Sequence, residues 1–311
     1  MTTYVIGHKK PDLDAVVSAM AVAAFRQLRG DKDNPTAVIA DPINPETEFV
    51  FQRFGLTIPV RLSADQIKPE DKIVLVDHNE ADQRLEGLNP DQIIAIIDHH
   101  KFNLDLNIPI KITALPLGAC TTIVYLKFKQ YGLDIPDELV GLMLSAILSD
   151  TVGMRSSTTT DKDRQAVTEL AAEAGIGDVD TLTMDIFRAK SNISSLTPEQ
   201  IVKNDYKVFE FAKKTFIGQL ETVDQDEVMA KHKDELLTAM AKIKAEEGVG
   251  LIFLAISDIM NINTKLLILG EAEKLVAQKA FGGEALGSVL DIGAKLSRKK
   301  DIAPPLEKAL A

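Results

Sequence analysis

The stretch KIVLVDHNEADQRLEGLNPDQIIAIIDHH, residues 72–100, decides the fold of this 311-residue chain. It contains two short apolar runs, KIVLVD (72–77) and IIAIID (93–98), and Asp and His side chains lie where each run ends. Runs of this length, rich in β-branched residues, predict buried β-strands. Two earlier runs, TYVIG (3–7) and TAVIA (36–40), have the same character. The four runs together predict one sheet.

Helix-length amphipathic stretches alternate with these strands. Residues 14–29 and 45–54 have this pattern, and two further helices are predicted at 120–131 and 136–150. A β-α-β alternation is typical of a mostly parallel sheet with helices on both faces. We therefore predict an α/β fold whose N-terminal domain is a doubly wound, mostly parallel sheet.

A polar, Ser-rich segment separates the two halves of the chain. We predict an N-terminal domain at 1–189, a linker or hinge at 190–196 and a smaller mixed α/β domain at 197–311. In the second domain the pattern predicts hairpin-like strands near 206–222, a helix at about 226–246, strands at 251–257 and 265–270, and then a helix.

Composition excludes several classes of function. The net charge is −11, aromatic residues make up 5% of the chain and Trp is absent. A nucleic-acid binder normally has a basic face or aromatic stacking platforms, so no nucleic-acid partner is expected. No apolar stretch reaches the roughly 18 residues of a membrane span. The single cysteine, Cys120, fits a reducing compartment, and the predicted location is the cytoplasm.

Four of the five histidines follow predicted strands, in clusters rich in aspartate. The clusters supply His8, Asp12 and Asp14 after the first strand, Asp77 and His78 after the third, and Asp98, His99 and His100 after the fourth. The carboxyl ends of parallel strands line one crevice, where ligands bind. Side chains from distant parts of the chain are therefore expected to meet at one edge of the sheet.

The residue types in these clusters predict a metal centre. Imidazole and carboxylate together suit Mn²⁺, Co²⁺, Zn²⁺ or Fe²⁺ better than Ca²⁺. An excess of carboxylates without thiolates favours Mn²⁺, while Co²⁺ stays possible. The clusters hold too many potential ligands for one tetrahedral site, and two metal ions about 3.5–4 Å apart would accommodate them better.

Five ordered motifs give the chain a family resemblance. GHKKPDLDAVVSA (7–19), VDHNE (76–80), IDHH (97–100) and GLMLSAILSDT (141–151) resemble the DHH phosphoesterase superfamily, which is named for the Asp-His-His motif. The C-terminal SRKK (297–300) is similar to the signature of family II inorganic pyrophosphatases. The resemblance extends over essentially the whole chain.

The resemblance implies a role for individual residues. One metal ion would be bound by His8, Asp12 and Asp77. The other would be bound by Asp14, Asp77, His99 and Asp150, so that Asp77 bridges the two ions.

The remaining implied roles concern substrate and support. Pyrophosphate would contact His100, Lys207, Arg298 and Lys299, and His100 and Asp77 would be catalytic. Asp98 and His78 would orient ligands, while His232 is expected to be a solvated surface residue.

The family pattern also implies a reaction. Pyrophosphate would be hydrolysed to two orthophosphates by in-line attack of a hydroxide that bridges two Mn²⁺ ions per subunit, with Mg²⁺ arriving on the substrate. The site would lie in the cleft between the domains, and residues 190–196 would act as its hinge. A homodimer through the sheet edge of the first domain is implied as well.

Two other functions remain open at this point. One is a DHH-type phosphoesterase acting on oligonucleotides or polyphosphate, although many such relatives have a GGGH motif where this chain has Phe281-Gly282-Gly283-Glu284. The other is a non-catalytic metal or nucleotide sensor. The chain leaves no room between Asp77 and Lys207 for an inserted nucleotide-binding module.

Overall fold

The computed structural model describes residues 1–193 and 196–310. The chain separates into two compact units, Met1–Lys190 and Ser191–Ala311. Within the predicted linker, Ser194 and Ser195 lie outside the described residues. Each unit contains a five-stranded sheet of its own.

The sheet of the first unit is entirely parallel. Its strands are β1 (Thr3–Ile6), β2 (Pro35–Val38), β3 (Lys72–Val76), β4 (Ile93–Asp98) and β5 (Lys111–Ala114). Their order in space is β2-β1-β3-β4-β5, one of the two common doubly wound orders. The four predicted strands are present, and β5 is an additional edge strand. Its residues are mostly exposed and do not form the apolar run by which the other strands were recognised.

Six helices belong to the first unit. They are α1 (Leu13–Leu28), α2 (Pro45–Phe54), α3 (Cys120–Tyr131), α4 (Asp137–Asp150), α5 (Asp161–Glu173) and α6 (Val179–Lys190). All six contribute buried or partly buried apolar side chains to one core, which they share with one face of the sheet. The α/β class is therefore confirmed.

The other face of this sheet is covered differently from the prediction. Its apolar cluster joins Ile6, Ile73 and Ile96 of the strands to side chains such as Leu62 and Leu85. These two lie in irregular segments, each two residues from a short 3₁₀ turn. Among the described residues no α-helix contributes to this cluster. The connections on this side contain several prolines and glycines, which interrupt helices.

The sheet of the second unit is mixed. Its strands are β6 (Asp205–Glu210), β7 (Lys214–Thr222), β8 (Leu251–Asp258), β9 (Asn263–Ile268) and β10 (Val289–Gly293). They are ordered β10-β9-β8-β7-β6, with β7 and β8 parallel and the other neighbours antiparallel. The predicted hairpin near 206–222 is the β6–β7 pair.

Helices cover both faces of the second sheet. They are α7 (Pro198–Val202), α8 (Gln225–Glu246), α9 (Glu271–Phe281) and α10 (Ala303–Leu310). The first two pack on one face and the last two on the other. A single turn of π-helix, Arg298–Ile302, leads into α10. Within the parts of both units that the structure describes, no helix has the length and hydrophobicity that crossing a membrane requires.

Candidate metal centre

The loop between β1 and α1 positions His8 and Asp12. Asp12 is the N-cap of α1, and one of its carboxylate oxygens accepts a hydrogen bond of 2.9 Å from the Ala15 N–H. The other oxygen lies 3.6 Å from Nε2 of His8. A Cβ on Gly7 would lie 2.7 Å from the Cβ of Ala15, so glycine is needed where β1 passes α1.

Asp77 lies at the middle of the centre. It follows β3 directly with a φ of +61°, a left-handed conformation that aspartate adopts more readily than most residues. Its side chain is 1% exposed, and Oδ2 lies 3.6 Å from Nε2 of His8. Its Oδ1 lies 3.2 Å from Nε2 of His99 and 3.8 Å from Nδ1 of His100. One carboxylate thus faces imidazoles from two different loops.

Three groups of potential ligand atoms converge here, with the atoms of each group within 4.8 Å of one another. The groups are His8, Asp12 and Asp77; Asp14, Asp77, His99 and Asp150; and Asp77, His99 and His100. Asp77 is common to all three. The first two contain the same residues as the two ligand sets that the family resemblance implies.

Two buried atoms of the centre lack hydrogen bonds. Oδ1 of Asp77 and Nε2 of His99 are buried, and neither makes a hydrogen bond of acceptable geometry to any described group. Buried polar atoms are nearly always paired, so these atoms are suited to an additional ligand. A carboxylate oxygen and an imidazole nitrogen facing one another match the coordination of a borderline divalent cation.

The histidines are held with Nε2 directed toward the carboxylates. Nδ1 of His8 lies 2.8 Å from the Lys9 carbonyl and Nδ1 of His99 lies 2.9 Å from the Leu117 carbonyl. A carbonyl only accepts, so Nδ1–H donates and Nε2 is left for a ligand. Burial lowers the pKa of both rings, but the neighbouring Asp12 and Asp77 raise that of His8 to about 11. Asp77 likewise helps raise the pKa of His99 to about 10.

The carboxylates in the centre crowd one another. Asp14 is fully buried and accepts hydrogen bonds from the Cys120 N–H at 2.6 Å and the Thr121 N–H at 2.9 Å, so it caps α3 as well as facing the centre. Burial, and then the charge of Asp77, raise the pKa of Asp14 to about 7. Burial, and then the charges of Asp14 and Asp77, raise the pKa of Asp150 well above its usual range. A divalent cation would relieve this repulsion.

Asp98 and His78 support the centre from outside the first two groups. Asp98 is fully buried and accepts a hydrogen bond of 2.6 Å from the Asn79 amide. The same carboxylate accepts the His100 N–H at 3.1 Å and lies 3.0 Å from Nδ1 of His100. Nδ1 of His78 lies 2.8 Å from the Val76 carbonyl, and burial lowers the pKa of His78 to about 4, which keeps this ring neutral.

His100 is the most exposed histidine of the centre. Its side chain is 51% exposed, compared with 10% for His99. The hydrogen bond with Asp98 is the main reason why the pKa of His100 is raised. Because Nδ1 donates to Asp98, Nε2 is the nitrogen of His100 that is left for another partner.

Three of the four predicted pyrophosphate contacts, Lys207, Arg298 and Lys299, lie in the second unit. Lys207 is exposed on β6, and Lys299 is exposed at the π-helical turn. The guanidinium of Arg298 lies 2.8 Å from the Asp205 carboxylate. Asp205 and Lys207 are two residues apart on one strand and so share a face of the sheet. Arg298 and Lys207 are thereby brought to the same side of this unit.

Gln219 of β7 positions the segment that carries Arg298. Its side-chain oxygen accepts the Arg298 N–H at 3.1 Å, and its amide donates to the Leu296 carbonyl at 2.8 Å. Elsewhere, His232 lies on α8, 3.6 Å from Glu235, and belongs to none of the three groups of potential ligand atoms. Gln219 was not selected from the sequence, because a single glutamine in a strand has no distinguishing pattern.

Two known domain families match the chain and identify its class. The DHH family, N-terminal domain, matches residues 2–147, and the DHHA2 domain matches residues 184–309. The parallel sheet with an Asp–His centre at its carboxyl edge is thus the DHH domain, followed by a DHHA2 domain.

Full-length relatives specify the family. The chain is 40% identical to the manganese-dependent inorganic pyrophosphatase of Methanocaldococcus jannaschii, covering 98% of each chain. It is 38% identical to that of Methanothrix thermoacetophila, covering 98% of this chain and 97% of the relative. A crystal structure described as a family II inorganic pyrophosphatase from Methanococcus jannaschii aligns with a TM-score of 0.64 and 36% identity over 99% of both chains. The chain belongs to the family II, manganese-dependent inorganic pyrophosphatases.

Proposed function

We propose that this protein is an inorganic pyrophosphatase that hydrolyses pyrophosphate to two orthophosphates and depends on manganese. The observation that carries the proposal is the position of Asp77, whose carboxylate is shared by two groups of potential ligand atoms, with Oδ2 near His8 and Oδ1 near His99. Relatives that cover the whole chain are named for this activity and this metal.

In this proposal the two groups bind two Mn²⁺ ions, with Co²⁺ as a possible substitute. His8, Asp12 and Asp77 hold one ion, and Asp14, Asp77, His99 and Asp150 hold the other. When bound, the ions supply Lewis acidity and lower the pKa of coordinated water. Asp77 would contribute to both ligand sets, and Asp98 fixes the orientation of His100. His100 donates a proton or hydrogen bond to the leaving phosphate through its free Nε2.

Cations of the second unit bind the substrate in this proposal. Arg298 grips a phosphate with two parallel N–H groups, whereas Lys207 and Lys299 act as point charges. Asp205 holds the guanidinium of Arg298 in advance of substrate. Mg²⁺ arrives with pyrophosphate, because it binds phosphate oxygens while keeping several waters.

The two units divide the chemistry between them. Potential metal ligands lie in the first unit and the proposed phosphate-binding cations lie in the second, so in this proposal both units contribute residues to the reaction.

We further propose a cytoplasmic homodimer that binds no nucleic acid. Strand β5 is an edge strand with exposed Ile112, and unpaired edges favour pairing with a second copy. The free, buried Cys120 fits a reducing compartment. Sedimentation equilibrium should give twice the chain mass, and a monomer at micromolar concentration would contradict the dimer.

Phosphate release from Mg-pyrophosphate tests the activity. Protein stripped of metal should be inactive, regain turnover with Mn²⁺, and respond much less to Mg²⁺ alone. His8→Ala and His99→Ala should each lose most of the activity, because each removes one ligand of a different ion. His232→Ala is the matched control and should retain full activity. Loss of activity in none of these variants would refute the metal centre.

The same preparation distinguishes the alternative substrates. A DHH-type phosphoesterase would cleave short oligonucleotides or polyphosphate faster than pyrophosphate, and a sensor would bind Mn²⁺ without any turnover. We expect pyrophosphate to be the preferred substrate by a wide margin. A reversed preference would keep the fold and replace the proposed reaction.

Arg298→Lys should lower kcat/KM for pyrophosphate and leave the affinity for the metal ion unchanged. Lysine keeps the charge but loses bidentate geometry. Hydrogen bonds to charged groups contribute about 1.5–3 kcal/mol, so kcat/KM should fall by roughly 10- to 100-fold, mainly through KM. Arg188→Lys, at an exposed pair with Asp185 in the first unit, should change neither. Unchanged kinetics for Arg298→Lys would remove Arg298 from the substrate site.

A further inference from the structure

A buried carboxylate lies beside the metal centre without belonging to it. Glu46, in the first turn of α2, is fully buried but is in none of the groups of potential ligand atoms. One of its oxygens accepts a hydrogen bond from the hydroxyl of Ser149, the residue before Asp150. Glu46 therefore holds the last turn of α4, from which Asp150 reaches the centre.

The second oxygen of Glu46 faces a lysine. It lies 3.5 Å from Nζ of Lys190 and makes no hydrogen bond of acceptable geometry to a described group. Lys190 ends α6 and is the last residue of the first unit. Its side chain is 45% exposed and its ammonium lies 5.6 Å from the ring centre of Phe187. Lys190 is thus free to move if its partner is lost.

Lys190 is linked to the metal centre through Glu46, which accepts a hydrogen bond from the hydroxyl of Ser149, beside Asp150. Burial lowers the pKa of Lys190, but the charges of Glu46, Asp12 and Asp150 raise it overall. Asp12 in turn feels the charge of Lys190. A single cation therefore has three carboxylates within electrostatic reach, and two of them are the ones that a metal ion would use.

An ammonium and a divalent cation compete for the same carboxylates. If Lys190 paired with Asp12 or Asp150, a metal ion would have to displace it. Glu46 offers a third carboxylate that is anchored by Ser149 and cannot turn toward the centre without losing that bond. The positions of these side chains favour an ion pair between Lys190 and Glu46.

We propose that Glu46 is a positioning residue that holds the Lys190 ammonium away from Asp12 and Asp150, so that both carboxylates stay available to Mn²⁺. This inference rests on the proposed manganese site. Neither residue belongs to a group of potential ligand atoms, so their effect is on the affinity of the other residues for the ion.

A double-mutant cycle on Mn²⁺ affinity tests the proposal. Metal-stripped protein is titrated with Mn²⁺, and the free ion is measured by its electron paramagnetic resonance signal. Glu46→Gln keeps the shape and an oxygen for Ser149 but removes the charge that holds Lys190. Its Mn²⁺ affinity should fall by about tenfold, at the lower end of what loss of an outer-shell partner causes.

Rescue by the second substitution is the decisive result. Adding Lys190→Met to Glu46→Gln removes the competing cation, so the affinity should return to within about threefold of the wild-type value. Lys190→Met alone should leave the affinity unchanged or tighter. Glu48→Gln, an exposed residue two positions further along α2, is the control and should have no effect.

A merely structural pair gives the opposite pattern. In that case both single variants weaken Mn²⁺ binding and the double variant is weaker still, which would overturn the proposal. If Glu46→Gln does not fold, Lys190→Met alone decides, because this side chain is half exposed: a tenfold weaker affinity overturns the proposal and an equal or tighter one supports it. A wild-type protein that binds no Mn²⁺ overturns the proposed function and this inference together, whereas additive losses in an active enzyme overturn the inference alone.

Discussion

Asp77→Asn should reduce turnover of pyrophosphate by roughly 1000-fold or more while leaving the protein folded. A metal centre contributes several kcal/mol of charge stabilisation to the transition state, and each 1.36 kcal/mol corresponds to a factor of ten in rate. Asp77 is the one residue shared by both proposed ion sites. Its loss therefore affects two ions at once, whereas His8 or His99 affects one each.

Asparagine is chosen because it can keep the backbone conformation of position 77. Asp77 has a φ of +61°, and asparagine adopts this left-handed conformation as readily as aspartate. Asp65→Asn, at an exposed position of the same unit, is the matched control and should be fully active. Circular dichroism checks that both variants fold. A folded Asp77→Asn protein with more than a tenth of wild-type turnover would remove Asp77 from the reaction.

The position of the centre was predictable because of the sheet. Asp77 and Asp98 each follow a β-branched run directly, and the order of parallel strands brings such strand ends to one edge. The clustering of His8, His99 and Asp77 within a few ångströms follows from that rule once the strands are recognised. The clustering of His and Asp at the ends of predicted strands was the reason to select them, and the family resemblance implied their grouping into two ligand sets.

Other parts of the site depend on contacts that no local pattern encodes. Asp14 caps α3 through the N–H groups of Cys120 and Thr121, which lie more than a hundred positions away in the sequence. Glu46 contacts Ser149 across a similar distance. Glutamate in the first turn of a helix and serine near the end of another are common, so neither signalled a contact with the other.

The unpredicted covering of one sheet face has a related cause. Between β3 and β4 the chain forms two short 3₁₀ turns, Ala81–Gln83 and Pro90–Gln92, in place of a helix. Leu85 and Leu88 from this connection pack against the sheet. A few apolar side chains from an irregular connection were sufficient to cover this face of the sheet. The β-α-β rule predicts a helix there because a helix is the usual cover for a parallel sheet.

Saturating Mn²⁺ should raise the free energy of unfolding by about 5 kcal/mol. Each site occupied at 100 times its Kd contributes about 2.7 kcal/mol, and two sites are proposed. The metal-free centre is unfavourable because Asp14, Asp77 and Asp150 repel one another in a buried space. Denaturant unfolding of metal-stripped protein, with and without Mn²⁺, measures the difference.

The stabilisation by Mn²⁺ should be larger at about pH 8 than at about pH 6, because ligands must lose protons to bind a metal ion. In the metal-free fold the pKa of Asp14 is raised from 3.8 to about 7. The folded protein therefore favours protonated Asp14 more than the unfolded chain does. The free energy of unfolding of the metal-free protein falls as the pH rises from about 4 to about 7. The pKa values of His8 and His99, near 11 and 10, keep both rings protonated in the metal-free protein at pH 6 and at pH 8. Each ring must therefore release a proton to bind Mn²⁺, which becomes easier as the pH rises.

Substitutions link the stabilisation to the centre. His99→Ala should lose most of the Mn²⁺-dependent increase, because His99 supplies a nitrogen to the group with Asp14 and Asp150. His232→Ala should retain the increase in full, since His232 lies on α8 beside Glu235. An increase of equal size in both variants would mean that Mn²⁺ binds elsewhere, and an increase that shrinks with rising pH would contradict competition between protons and the metal ion.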